Sequence, residues 1–296
     1  MVTVENDQSR IEALPCWRGR PRISPLAGGM TNRNYRVRDD AGAHVARLGE
    51  DVPHHGIERW HEVALARAAE AAGLSPEVEH AEPGVLVMRF VEGRTLTAAD
   101  IRDPARLPAI AALIRRCHQE VDRHLNGPTL SFCPFQTVRR YAAALRSQGS
   151  PWLDRLDELL TLNERLQRSL PAATPVIAHN DLLAGNLLDD GNRLWLIDWD
   201  YAARGDGLFD LANLATNNGF GPEGEVALLE AYYETRVGGT LLQQLRTLRV
   251  ASLLREALWS MVSELHPTVD FDYAGYTRTQ LRRLEAEIAR FNGGGC

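Results

Sequence analysis

The stretch HNDLLAGNLLDDGNRLWLIDWDYA, residues 179–202, constrains the fold more than any other part of the chain. Asp190-Gly191 is a strong signal for a tight hairpin turn, with Leu187, Leu188, Leu194 and Leu196 as the apolar residues of two short strands beside it. A hairpin returns its second strand to where its first began, so Asn186 and Asp198 emerge at one open end. Asp181 lies in the loop that feeds that end. A carboxylate, a carboxamide and a second carboxylate therefore converge on one site.

Oxygen ligands at a hairpin mouth suit a hard cation such as Mg²⁺, which takes one or two protein carboxylates and completes its shell with phosphate and water. A further carboxylate nearby can accept a proton from an attacking hydroxyl. These are the parts that phosphoryl transfer needs, because the protein contributes mainly positioning and charge stabilisation. The kinase pattern H-R-D-x-x-x-x-N, followed by an Asp after a short hairpin, is met here with Asn180 in place of Arg. The bland alternative is that Asp181 caps a helix while Asn186 and Asp198 bracket a turn. No GxxxxGK[ST] occurs, so a P-loop enzyme is excluded.

The rest of the chain narrows the context. Its 296 residues, 44% of them hydrophobic, can bury a large core in one large or two coupled domains. The formal net charge of -6, with Lys and Arg scattered, argues against a nucleic-acid groove or a polybasic membrane patch. No apolar run approaches the roughly 18 residues of a membrane span. The opening MVTVENDQSR lacks the regions of a signal peptide, so a soluble cytoplasmic protein is expected. Cys16, Cys117, Cys133 and Cys296 show no CxxC pair or zinc spacing and read as reduced, mostly buried thiols.

The first ninety residues read as short strands around one helix, IERWHEVALARAAEAAG, which Gly73 closes. GVLVMRFVEG is a continuous apolar strand. Beyond it most segments have helical spacing; in LLQQLRTLRVASLLREALWSMVSEL, Val250, Leu253, Leu254, Ala257, Leu258, Met261, Val262 and Leu265 form one stripe and Trp259 projects from its flank. The shift near Phe90 marks an N-terminal lobe, residues 1–90, and a helical C-terminal lobe, residues 91–296.

HNDLLAGNLL with IDWDYA resembles the choline/ethanolamine kinase and aminoglycoside phosphotransferase superfamily, whose fold is similar to that of protein kinases. LAGGMTNRNYRV, FDLANLATNNGF and REALWSMV with DFDY extend the match along the chain. The resemblance implies an α+β, two-lobed fold: a small antiparallel-sheet lobe with one main helix binds nucleotide, and a larger, mostly helical lobe holds the catalytic and substrate groups. It implies ATP and Mg²⁺ as cofactors, Asp181 as catalytic base, Asn186 and Asp198 as metal ligands, and His179 as a support of the loop. Gly28, Gly29, Thr31 and Asn32 would cover the phosphates. Arg47 stands where protein kinases have Lys, and its expected partner is Glu62, with Glu58 one turn earlier as the alternative. Val87, Met88 and Phe90 resemble the hinge against which adenine stacks.

The implied reaction is transfer of the γ-phosphoryl group to the hydroxyl of a small, cationic molecule, with choline or ethanolamine leading and thiamine, an aminoglycoside or a sugar as alternatives. A catalytically silent nucleotide-binding regulatory module is the alternative of another class; it is disfavoured because Asp181, Asn186 and Asp198 are all present. Aromatic faces and carboxylates recognise cationic amines, which makes Trp259, Phe271, Tyr273 and Tyr276 candidate walls and Asp200 and Asp210 candidate sources of negative potential. Choline kinases of the better-known type have two Trp residues one turn apart, whereas this chain has Glu256 and then Trp259. A Glu suits an ammonium that still carries hydrogens.

Overall fold

The computed structural model describes residues 2–26, 32–267 and 271–293. Gly28, Gly29 and Thr31 lie outside them. The N-terminal part begins with helix α1 (Val2–Glu12) and continues through β1 (Arg22–Leu26), β2 (Arg33–Arg38), β3 (Ala43–Leu48), α2 (Arg59–Ala71), β4 (Val78–Glu82) and β5 (Val85–Arg89). Its five strands form an antiparallel sheet in the order β1-β2-β3-β5-β4.

Alternation along β3 and β5 divides the sheet into two faces. Tyr35, Val37, Ala46, Leu48, Val85 and Val87 pack with Ile11 and Leu14 on one side. Leu86 and Met88 join the main core with Leu65, Ala66 and Ala69 of α2 on the other. Burial on both faces explains why β5 reads as an unbroken apolar run. Arg47 pairs across the ladder with Leu86 and so belongs to the α2 side. The Ala-rich α2 ends with Gly73 at φ 69, where its N–H meets Glu70 O.

Two expectations fail here. The first ninety residues contain a second helix, α1, which is held by Ile11 in the core and by a polar anchor rather than by an apolar stripe. Asp7 accepts from Arg33 Nε (2.5 Å), Arg33 Nη2 (2.9 Å) and Tyr35 OH (2.8 Å). Periodicity has nothing to register in such a helix.

The remainder comprises β6 (Arg94–Thr95), α3 (Ala98–Arg102), α4 (Leu107–His124), α5 (Pro134–Ser147), α6 (Leu153–Arg168), β7 (Pro175–Ala178), β8 (Leu187–Asp189), β9 (Leu194–Leu196), β10 (Ala203–Asp206), α7 (Gly207–Asn217), α8 (Pro222–Tyr233), α9 (Gly239–Leu265) and α10 (Tyr273–Gly293). Strand β8 pairs with β6 and β9, and β7 pairs with β10. The second failed expectation concerns α9. Rather than presenting one stripe, it is buried almost all round from Leu245 to Ser263, packed among α5, α7 and α10. Several of its polar positions are satisfied inside the core: Ser252 accepts from Asn213, Ser263 bonds His55, and Arg249 pairs with Glu225 and Glu287. Trp259 is consequently buried, at 6% exposure. Among the described residues no helix is long and apolar enough to cross a membrane.

Candidate active site

Strand β7 delivers the chain to His179, Asn180 and Asp181, and α7 fixes the path of the loop they form. Asp210, fully buried near the start of α7, accepts from the backbone N–H groups of His179 (2.7 Å) and Asn180 (2.6 Å) and bonds His118 Nε2 (2.9 Å). Asn213 Oδ1 accepts from Leu182 N (2.7 Å). Asp210 does not line the cavity that Asp181 lines, and its expected role there is corrected: its oxygens are committed to the backbone of the loop that carries Asp181. His179 bonds Ile197 O through Nε2 (3.0 Å), and burial lowers its pKa.

The hairpin forms as its Asp-Gly turn dictates. Leu187 pairs with Leu196, Gly191 adopts φ 87, and Ile197 N donates to Asn186 O at 3.0 Å. Asn186 and Asp198 thus share one end. Asn186 Nδ2 donates to Asp181 O (2.9 Å), which leaves Oδ1 as an acceptor. Of three described non-glycine residues with positive φ, Asn180 (63°) and Asp198 (70°) stand here, where local strain is held by the surrounding bonds.

Arg47 bridges this end to the sheet. Its Nη2 donates to Asp198 Oδ1 (2.8 Å) and Asp200 Oδ1 (2.6 Å), while Nη1 pairs with Glu62 Oε1 (2.8 Å). Arg59 completes the cluster with Glu62 Oε2 (2.6 Å) and Asp200 Oδ1 (2.8 Å). Glu62, rather than Glu58, is therefore the helix partner. With its amide oxygen turned toward the guanidinium, Asn32 accepts from Arg47 Nε at 2.8 Å. Three carboxylates face two guanidiniums in this cluster. Burial raises the Glu62 carboxyl, with Arg47 opposing.

These donors fit a magnesium ion bound together with nucleotide. Asn186 Oδ1 and the Asp198 carboxylate are hard oxygen atoms at one hairpin end, of the kind such an ion takes. Among the described residues no cluster of three or more His, Cys, Asp or Glu could hold an ion alone.

Asp181, Asn186, Asp198 and Asp200 line a cavity of about 250 Å³, closed on its other side by Tyr201, Arg255, Glu256, Trp259, Tyr276 and Arg283. Burial pushes the Asp181 carboxyl up to about 8, opposed by Arg255 and reinforced by Asp198, Glu256 and Asp200. Tyr276 OH donates to Glu256 Oε1 (2.8 Å), and Trp259 Nε1 donates to Tyr201 OH (2.7 Å) while its ring stacks on His55 at 4.9 Å.

Other expected site residues are placed differently. Phe271 and Tyr273 do not line the cavity; they pack behind Tyr276 and Trp259. Asp200 reaches it, but its charge is taken by Arg47 and Arg59. Met88 and Phe90 are bounded by the ladder: β5 is an interior strand, and Phe90 N donates to Ala43 O (2.9 Å). Tyr201, within IDWDYA, and Arg255, which opens REALWSMV, join the site, as does Arg283, which lies in no motif. A larger cavity, about 430 Å³, opens between Trp60, Val63 and the β4–β5 turn; the catalytic loop does not reach it.

The family model described as "Phosphotransferase enzyme family" matches residues 22–249. Protein LicA of Haemophilus influenzae is 28% identical over 273 residues, covering 88% of this chain and 77% of that protein. Ethanolamine kinase 2 of Mus musculus is 25% identical over 315 residues, covering 93% and 80%. Among solved structures, a choline/ethanolamine kinase family protein from Mesorhizobium loti matches with a TM-score of 0.77 at 25% identity, covering 96% of this chain and 94% of that one.

Proposed function

The chain belongs to the phosphotransferase enzyme family, and on that premise we propose that it moves the γ-phosphoryl group of ATP to the hydroxyl of a small amine-bearing alcohol. The observation that carries this reading is the 2.8 Å pair between Arg47 and Asp198. It sets a strand cation suited to nucleotide phosphates against a metal-ligand carboxylate, at the mouth of the cavity that Asp181 lines.

Asp181 receives the proton of the acceptor hydroxyl. As the acceptor oxygen bonds the γ-phosphorus, the bridging γ-P–O bond breaks and ADP leaves. A carboxyl with a pKa near 8 is well matched to take that proton near neutral pH. Arg47, held by Glu62, binds phosphate oxygens; Asn32 shares its surroundings, and Gly28, Gly29 and Thr31 are assigned to the same loop by resemblance. Asn186 and Asp198 would hold Mg²⁺, which when bound would neutralise charge on the phosphate oxygens. Residues 1–90 supply the nucleotide side and 91–296 the catalytic side.

For the acceptor, Glu256 and the Trp259 ring suit an ammonium that can donate hydrogen bonds, which places ethanolamine ahead of choline. The relatives named for these substrates support the class. The test is acceptor-stimulated ADP release from Mg·ATP across ethanolamine, choline, thiamine, an aminoglycoside and a sugar. Stimulation by the amino alcohols supports the reading. Nucleotide binding without stimulation by any acceptor identifies a silent module instead.

A further inference from the structure

Glu256 is not the sole charged residue on its turn of α9. Arg255 lines the same cavity and is 2% exposed. Its Nη1 donates to Glu256 Oε2 (3.1 Å), whereas Nε and Nη2 have no hydrogen-bond partner among the described residues. The guanidinium lies over the Tyr201 ring at 4.5 Å. Arg283, on α10, also lines the cavity. Its Nη1 and Nη2 donate to neutral oxygens, Gln280 Oε1 (2.9 Å) and Thr216 O (3.0 Å), and among the described residues it has no carboxylate partner.

Arg255 offsets part of the charge of Asp181 and Glu256, but two guanidiniums beside four carboxylates also weaken the pull of the pocket on an ammonium and offer it nothing to bond. Buried N–H groups without partners are rare in folded proteins. A guanidinium fork matches a carboxylate in shape and charge. We infer that the acceptor is zwitterionic, a hydroxy amine that also bears a carboxylate, with Arg255 and Arg283 receiving the carboxylate and Glu256 the ammonium. This rests on the proposed phosphotransferase activity and leaves its chemistry unchanged: the acceptor oxygen bonds the γ-phosphorus, ADP departs and the proton passes to Asp181. Tyr276 fixes Glu256 for the task through its 2.8 Å hydrogen bond.

The test compares kcat/KM within two pairs that differ by one carboxylate: L-serine with ethanolamine, and L-homoserine with 3-amino-1-propanol. The carboxylated member of at least one pair is expected to lead by about 10-fold or more, since a site built to pair with a polar group rejects the analogue that lacks it. Arg255→Met should erase that ratio through KM for the carboxylated member. Any effect of Arg255 exerted through Asp181 lowers both members alike and leaves the ratio standing. Arg283→Met, at a less buried position, tests the same ratio should the first variant fail to fold. Transfer to ethanolamine or 3-amino-1-propanol at rates equal to or above their carboxylated partners overturns the inference and leaves the phosphotransferase reading intact. Transfer to no member of either pair, with Mg·ATP bound, overturns both the inference and the amine-bearing acceptor.

Discussion

The carboxylate of Asp210 accepts the backbone N–H groups of both His179 (2.7 Å) and Asn180 (2.6 Å), so a residue of α7 sets the shape of the loop that carries Asp181. Asp210→Ala strands two buried N–H groups and the His118 ring. Unsatisfied buried donors of this kind cost about 2–4 kcal/mol of stability. The expected outcome is a Tm lower by several degrees together with a fall in kcat. A variant with unchanged melting and turnover contradicts the role.

The Asp181 carboxyl gives activity and stability opposite dependences on pH. Its pKa of about 8 in the fold lies above the ordinary aspartate value of 3.8, so the folded state binds the proton more tightly than the unfolded chain does. The protonated carboxyl therefore contributes stability that is fully present below 3.8 and is lost as pH rises through 8. Activity runs the other way, because the base must be ionised: kcat/KM should rise toward a plateau above pH 8. Melting curves of Asp181→Asn should show its Tm advantage over the parent growing between about pH 5 and pH 9.

Arg47 serves three carboxylates at once, and only its planar fork can do so. Arg47→Lys should raise KM for ATP by about 10-fold or more while KM for the acceptor stays within about 2-fold. Arg47→Ala leaves Glu62, Asp198 and Asp200 against Arg59 alone, which costs about 3–5 kcal/mol when a buried pair is broken. Chemical denaturation separates the two outcomes.

Trp259 stacks on His55 and donates to Tyr201, so truncation to Ala mixes binding with core loss. Trp259→Phe keeps a ring and removes the N–H. A rise in KM for the amine acceptor that exceeds the rise for ATP places the ring at the acceptor; equal rises place it in the scaffold.

How much the sequence discloses depends on the range of the interaction. The hairpin at Asp190-Gly191, and with it the meeting of Asn186 and Asp198, is local and legible from turn chemistry and flanking leucines. Arg47 and Glu62 are legible as a pair only through resemblance, because no spacing rule links a strand to a helix. Helix α1 is not legible: Asp7 reaches Arg33 and Tyr35, and no apolar period marks it. Nor is the burial of α9, whose serines and arginines look like a solvated face until their partners on α7, α8 and α10 are in place. The same concealment hides Arg255, a charged residue next to Glu256 that a stripe assigns to the surface.

The most direct measurement is acceptor-stimulated ADP release by the parent and Asp181→Asn, with Mg·ATP binding measured in parallel. The expected result is stimulated turnover in the parent, a loss of roughly 100-fold or more in the variant, and nucleotide affinity within about 3-fold between the two. Parent-like turnover in Asp181→Asn, or nucleotide binding by the parent with no stimulated turnover, contradicts the assignment of Asp181 as the base of a phosphotransferase.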